Sequence, residues 1–186
     1  MDGIGKEDPA SAVDDTIRRL IELHADKAYA IAFRMTGNAA DAGDLAQEAF
    51  LRAMKYHHSY DQGLPFEGWI YQIIRNIYLG SLEREARRRS VPLSHSLHED
   101  SLTLEEVLPD PAPGPERAAE TAGTGAEVRA ALETLSPPLK MAVVLVDLEG
   151  VEREDAARAL GCSISALDVR LHRARAALRK KFEERQ

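Results

Sequence analysis

One stretch near the C-terminus constrains the fold more than any other: Gly150 to Arg179, GVEREDAARALGCSISALDVRLHRARAALR. From Glu152 to Leu160 the apolar spacing is helical, with Ala156, Ala157, Ala159 and Leu160 on or beside one face. Gly161 breaks that pattern as a left-handed turn residue would. Ser163 is placed to cap a second helix, along which Ile164, Leu167, Leu171, Ala174 and Leu178 recur at spacings of three and four. The other face of this second helix carries Arg170, Arg173, Arg175 and Arg179. A helix, a glycine turn and a basic amphipathic helix predict a helix-turn-helix whose second helix suits the DNA major groove. The plainer alternative is a helical hairpin with a solvated basic face.

The whole chain carries a formal charge of −7, which is the wrong sign for a DNA ligand until it is divided. From Arg170 to Arg185 there are seven arginines and lysines against two acids. From Arg75 to Arg89 there are five arginines against Glu83 and Glu85, whereas Val91 to Glu127 holds eight acids and only Arg117. Two basic stretches are thus separated by an acidic one. The 186 residues suffice for one medium domain or two small ones, and no apolar run is long enough to span a membrane. The acidic N-terminus lacks the apolar core of a signal peptide, so a cytoplasmic protein without membrane insertion is expected. The single cysteine, Cys162, rules out an internal disulfide.

Taken in order, residues 1–10 read as a disordered tail. A first helix is expected from about Ser11, with Asp14 in a capping arrangement and an apolar stripe of Ile17, Leu20, Ile21, Leu23, Ala28, Ile31, Ala32 and Met35. Gly37 ends it, and Asn38 caps a second helix running to about Lys55. After a loop from His57 to Pro65, a third helix runs from Phe66 to about Arg89, with Phe66, Trp69, Ile70, Ile73, Ile74, Ile77 and Leu82 toward the core. Residues 91–125 hold five of the nine prolines and read as an acidic tether. Beyond it, a helix over Val128 to Leu135 is followed by one that Ser136 caps and Pro137 and Pro138 open. Met141, Val143, Val144, Val146 and Leu148 are its expected core, and Gly150 its end. The fold class is therefore all-α: two small helical domains, over 11–90 and 126–186, joined by a linker, the second domain a helix-turn-helix.

Three segments in this order, DAGDLAQEAFLRAMK (Asp41 to Lys55), FEGWIYQIIRN (Phe66 to Asn76) and Leu135 to Arg179, resemble a bacterial sigma factor of the small two-domain extracytoplasmic function (ECF) group. The resemblance implies a region 2-like and a region 4-like domain, and a transcription initiation factor that directs core RNA polymerase to promoters. It assigns Asp41, Asp44, Leu45, Gln47, Glu48, Phe50 and Leu51 to the polymerase-docking neighbourhood, with Leu45 the expected core member. It assigns Tyr60, Phe66, Trp69, Arg75, Asn76, Arg84, Arg87 and Arg88 to the -10 element, where a base is unstacked and captured. It assigns Ser165, Ala166, Asp168, Val169, Arg170, His172, Arg173 and Arg175 to the -35 element. An anti-sigma factor is implied as a further partner.

The residues themselves set limits. Asp41, Asp44 and Glu48 lie at helical spacing, but no histidine or further acid completes a ligand set, and no metal or cofactor is expected. No nucleophile-base signature or glycine-rich phosphate loop appears, so no catalysis is expected. The chain departs from the group's usual pattern in carrying Gly80 and Glu83 after Asn76, and Ala166 and Asp168 where Thr and a basic residue are common. An acid in the recognition helix either repels phosphates or accepts from a cytosine amino group. Gly80, Glu83 and Asp168 are the best support for a rival reading, a sigma mimic that titrates an anti-sigma factor; the intact Asp41 to Lys55 motif and the remaining arginines stand against it. A plain helix-turn-helix regulator is a second rival, which leaves the first domain unexplained.

Overall fold

In the computed structural model, residues 9–90 and 122–183 are described. Among them the order is α1 (Pro9–Thr36), α2 (Ala39–Lys55), a 3-10 turn (His57–Ser59), α3 (Phe66–Ser90), α4 (Ala122–Leu132), α5 (Pro137–Val143), a π-helical turn (Val144–Leu148), α6 (Arg153–Ala159) and α7 (Ile164–Glu183). Residues 1–8 and 91–121, which include most of the expected tail and tether, lie outside the described residues. No helix among those described is long and apolar enough to cross a membrane.

The helix boundaries follow from local chemistry. Helix α1 begins at Pro9, earlier than the expected Ser11; proline in a first turn forfeits no needed hydrogen bond. It closes on Gly37, which takes a φ of +82° and donates its N–H to the Phe33 carbonyl at 2.8 Å. Asn38 then caps α2 reciprocally: its side-chain oxygen accepts from the Asp41 N–H at 2.9 Å, and its Nδ2 donates to the Asp41 carboxylate at 2.6 Å. Helix α4 starts at Ala122 rather than Val128, so residues 122–125, read from sequence as tether, are helical.

The interior is one continuous apolar cluster drawn from both described stretches. Leu23, expected inside, is 74 % exposed, because it falls two residues after Ile21 and so on the far side of α1. Tyr71 and Tyr78 are buried in α3 although neither was in the expected stripe. After α5 the chain widens into a π turn, whose extra residue per turn rotates Leu148 outward and leaves Val146 only half-buried. Both had been expected in the core.

Polar contacts join the two stretches as well. Lys140, 2 % exposed, donates from Nζ to the Met35 carbonyl at 2.6 Å and to Glu133 Oε1 at 2.7 Å. Arg34 pairs with the nearly buried Glu149, and the Arg129 guanidinium lies 5.0 Å above the Phe33 ring. Helix α3 packs against α6, which brings its Arg75 beneath the turn at Gly161.

Candidate nucleic-acid interface

The α6–α7 pair is a helix-turn-helix stabilised by its own backbone. Gly161, at φ +58°, donates to the Arg158 carbonyl at 3.1 Å, and Cys162 donates to Ala157 at 3.0 Å. This 5→2 and 6→1 pair turns the chain sharply out of α6. Ser163 restarts the helix, its Oγ accepting from the Ala166 N–H at 3.2 Å. Leu167, Leu171 and Ala174 anchor α7 in the core. The opposite face carries Ser165, Val169, His172 and Arg173 in solvent; Val169 is 50 % exposed, which has no packing rationale in the isolated chain. Ala166 and Arg170 sit half-buried on one flank of α7.

The other flank holds Asp168, Arg175 and Arg179, next to the start of α6 and the π turn. Asp168 Oδ1 lies 3.2 Å from Arg153 Nη1. Arg175 makes a bidentate pair with Asp147 at 2.6 and 3.0 Å, and that hydrogen bond raises its already high pKa. Together Arg153, Asp168, His172, Arg175 and Arg179 line a crevice of about 450 Å³. Arg153 was not among the residues singled out from sequence; it lies 15 positions from Asp168, and only the turn brings them together.

A second crevice, of about 270 Å³, opens between α2 and α3, lined by Arg52, Tyr56, Ser59, Trp69, Gln72, Ile73 and Asn76. Trp69, Gln72 and Asn76 recur at spacings of three and four, so one face of α3 supplies the indole, an amide and a second amide. Tyr60 packs against the indole that lines this crevice. Its ring lies 5.1 Å from Trp69 and 5.5 Å from Phe66, and its hydroxyl donates to the Leu64 carbonyl at 2.8 Å, fixing the loop. Burial first, and then the adjacent Asp61, raises the Tyr60 pKa, so the phenol remains a donor. A half-buried aromatic floor with amide edges can stack one planar base and hydrogen-bond its rim.

Not every expected contact residue is available. Phe66, only 4 % exposed, is core beneath Tyr60 and Trp69, because it must fill the start of α3. Leu45 and Phe50, at 6 % and 8 %, face inward from α2, so neither presents its side chain to a partner. Asp41 and Asp44 are exposed, and Gln47, Glu48 and Leu51 half-exposed, on the outer side of that helix. Glu48 accepts from Arg52 at 2.6 Å. Arg84, Arg87 and Arg88 are exposed on the far part of α3, Arg87 within 4.0 Å of Glu83. Arg75 is the exception on α3, held between Asn76, to whose Oδ1 it donates at 3.3 Å, and the Gly161 turn.

Comparison with known proteins agrees with this geometry. Residues 20–88 match the family model for sigma-70 region 2, and residues 125–178 that for sigma-70 region 4. The chain is 37 % identical over 160 residues to the ECF RNA polymerase sigma factor SigE of Mycolicibacterium smegmatis, covering 86 % of this chain and 59 % of that one. It is 31 % identical over 164 residues to EcfG of Rhodopseudomonas palustris, covering 88 % and 83 %. Among solved structures, RpoE of Bartonella quintana in complex with the anti-sigma factor NepR superposes with a TM-score of 0.65 at 22 % identity, over 89 % of this chain and 95 % of that one. CnrH in complex with the cytosolic domain of CnrY gives the same score at 24 % identity, over 95 % and 96 %. With both sigma-70 regions matched in order along one helical chain, and with relatives of this identity over most of its length, the chain belongs to the ECF RNA polymerase sigma factors.

Proposed function

We propose that this chain is a transcription initiation factor: it binds core RNA polymerase, opens the -10 element through α3 and anchors the -35 element through α7. The observation that carries the reading is the pairing, in one chain, of an aromatic-amide crevice with a solvent-facing recognition helix. Two weak DNA contacts tethered together raise apparent affinity through effective concentration. The region 2-like part spans 11–90 and the region 4-like part 126–186, with the acidic segment as tether. Asp41, Asp44, Gln47, Glu48 and Leu51 form the polymerase-facing side of α2. Trp69 and Asn76 hold the unstacked base, with Arg84, Arg87 and Arg88 on phosphates. The factor supplies binding energy rather than chemistry, needs no cofactor, and works in the cytoplasm with its polymerase. An anti-sigma factor holds it inactive, a reading supported by the structure of RpoE from Bartonella quintana bound to the anti-sigma factor NepR.

The test is transcription from host genomic DNA by sigma-free core polymerase with and without the purified chain. Initiation at discrete sites sharing upstream elements is the expected result. Polymerase binding without initiation would move the mimic reading forward, and no binding at all would remove the assignment of α2.

A further inference from the structure

An acid on a DNA-reading helix has three physical roles open to it: reading a base, repelling the backbone, or holding a cation that does the binding. The structure separates them. On α7 the outward line is Ser165, Val169 and Arg173, whereas Asp168 lies on the flank with Arg175 and Arg179. A flank residue beside the first helix of the motif faces the groove wall, where phosphates run, rather than the base edges. The carboxylate is already engaged, 3.2 Å from the Arg153 guanidinium. Arg153 has five N–H donors, this contact uses one edge, and its side chain remains 52 % exposed. The neighbouring Arg175 is neutralised separately by Asp147. Arg153 and Arg179 are therefore the crevice guanidiniums that no bidentate carboxylate pair occupies.

We propose that Asp168 is a positioning residue for promoter DNA: it holds the Arg153 guanidinium at the mouth of this crevice so that Arg153 takes a backbone phosphate of the -35 duplex. The inference rests on the initiation-factor reading and adds a residue and a role to it. The cation that binds the groove wall comes from the first helix of the motif, and the acid on the second helix restricts its rotamers. An exposed ion pair of this kind adds little to stability. Its effect is on the orientation of a donor that otherwise samples many rotamers, and it appears only when DNA is bound.

The test uses holoenzyme reconstituted from the full chain and core polymerase, on a promoter mapped in the transcription experiment and on a panel with each -35 base pair changed. R153A should weaken every duplex by a similar factor, about 3–10-fold, and lower the slope of log affinity against log salt by about 1. D168A should weaken all duplexes by about 2–5-fold without reordering the preferred bases, D168E should restore part of the loss, and R153A/D168A should match R153A alone. Thermal stability of the free chain should not move in any of them. A changed base preference at one position in D168A would make Asp168 a reader and overturn the proposal. Tighter or unchanged binding by D168A, or additive losses in the double variant, would overturn it equally. A holoenzyme that initiates nowhere would instead bring down the parent reading, and this one with it.

Discussion

Lys140 is the most informative residue to perturb in the free chain. Its ammonium is buried and donates across the molecule to the Met35 carbonyl, one of the last four of α1 and so without a partner inside its own helix. Lys140→Met keeps the length and packing of the stem and removes only the donor. Losing a charged donor to a buried carbonyl costs about 1–3 kcal/mol. The bond to Glu133 adds at most about 1 kcal/mol, because that carboxylate is 53 % exposed. Relief from desolvating the ammonium returns part of this. The net expectation is a loss of about 2 kcal/mol, which for a chain of this size lowers Tm by about 4–8 °C.

The assay is thermal unfolding followed by circular dichroism, with Glu133→Gln alongside as a control that leaves the Met35 bond intact. The control should lose under about 1 kcal/mol, and that loss should fade at about 0.5 M salt, whereas the Lys140→Met deficit should persist. A Tm for Lys140→Met equal to or above that of the unmodified chain would refute the argument. Equal losses in the two variants would shift the weight from the carbonyl to the ion pair.

Four other outcomes follow from the structure. The Tyr71 hydroxyl is buried with no hydrogen-bond partner among the described residues, so Tyr71→Phe should raise stability by about 1 kcal/mol, read as a higher urea midpoint at unchanged m. Burial, and then Glu67, pushes the Tyr71 pKa far up, and burial raises that of Tyr78. The folded state therefore keeps these protons after the unfolded state has lost them. Stability is fully present below the ordinary tyrosine range and falls as pH rises above about 10, less steeply in Tyr71→Phe. Gly161→Ala places a Cβ 3.2 Å from Arg75 Nη1 at a φ of +58°, and should cost about 1–2 kcal/mol in a chemical denaturation curve. Trp69→Ala should lower initiation on duplex promoters by about 10-fold while sparing templates already melted at the -10 element, since stacking on one base is worth about 1–3 kcal/mol.

Most of the fold was legible because most of it is local. The α2 cap at Asn38, the turn at Gly161 and the cap at Ser163 follow from residues within five positions of one another. The start of α4 is not legible because Gly125 and its polar neighbourhood resemble a tether, and the π turn is not because an apolar run through Leu148 does not show where a helix widens. At the candidate site, the stripe Trp69–Gln72–Asn76 was available from spacing alone, but Arg52 and Tyr56 enter its crevice only through the packing of α2 on α3. The same limit explains Phe50, which the motif offered as a contact and the α1–α2–α3 core claimed instead.

What sequence periodicity hides is pairing between charges far apart in the chain. Lys140 lies in an apolar run, where a lysine ordinarily turns its head to water, yet its partner carbonyl is 105 residues away. Asp168 reads as a lone acid in a recognition helix until Arg153 is placed beside it, and Arg175 reads as a lone cation until Asp147 is found against it. In each case the isolated residue suggests one role and the pair another. For a chain of net charge −7 that must approach DNA, these pairs matter beyond stability. On the region 4-like half Asp147, Asp155 and Asp168 are each paired with an arginine, so three of its acids are offset locally, and Arg170, Arg173 and Arg179 add positive charge to α7.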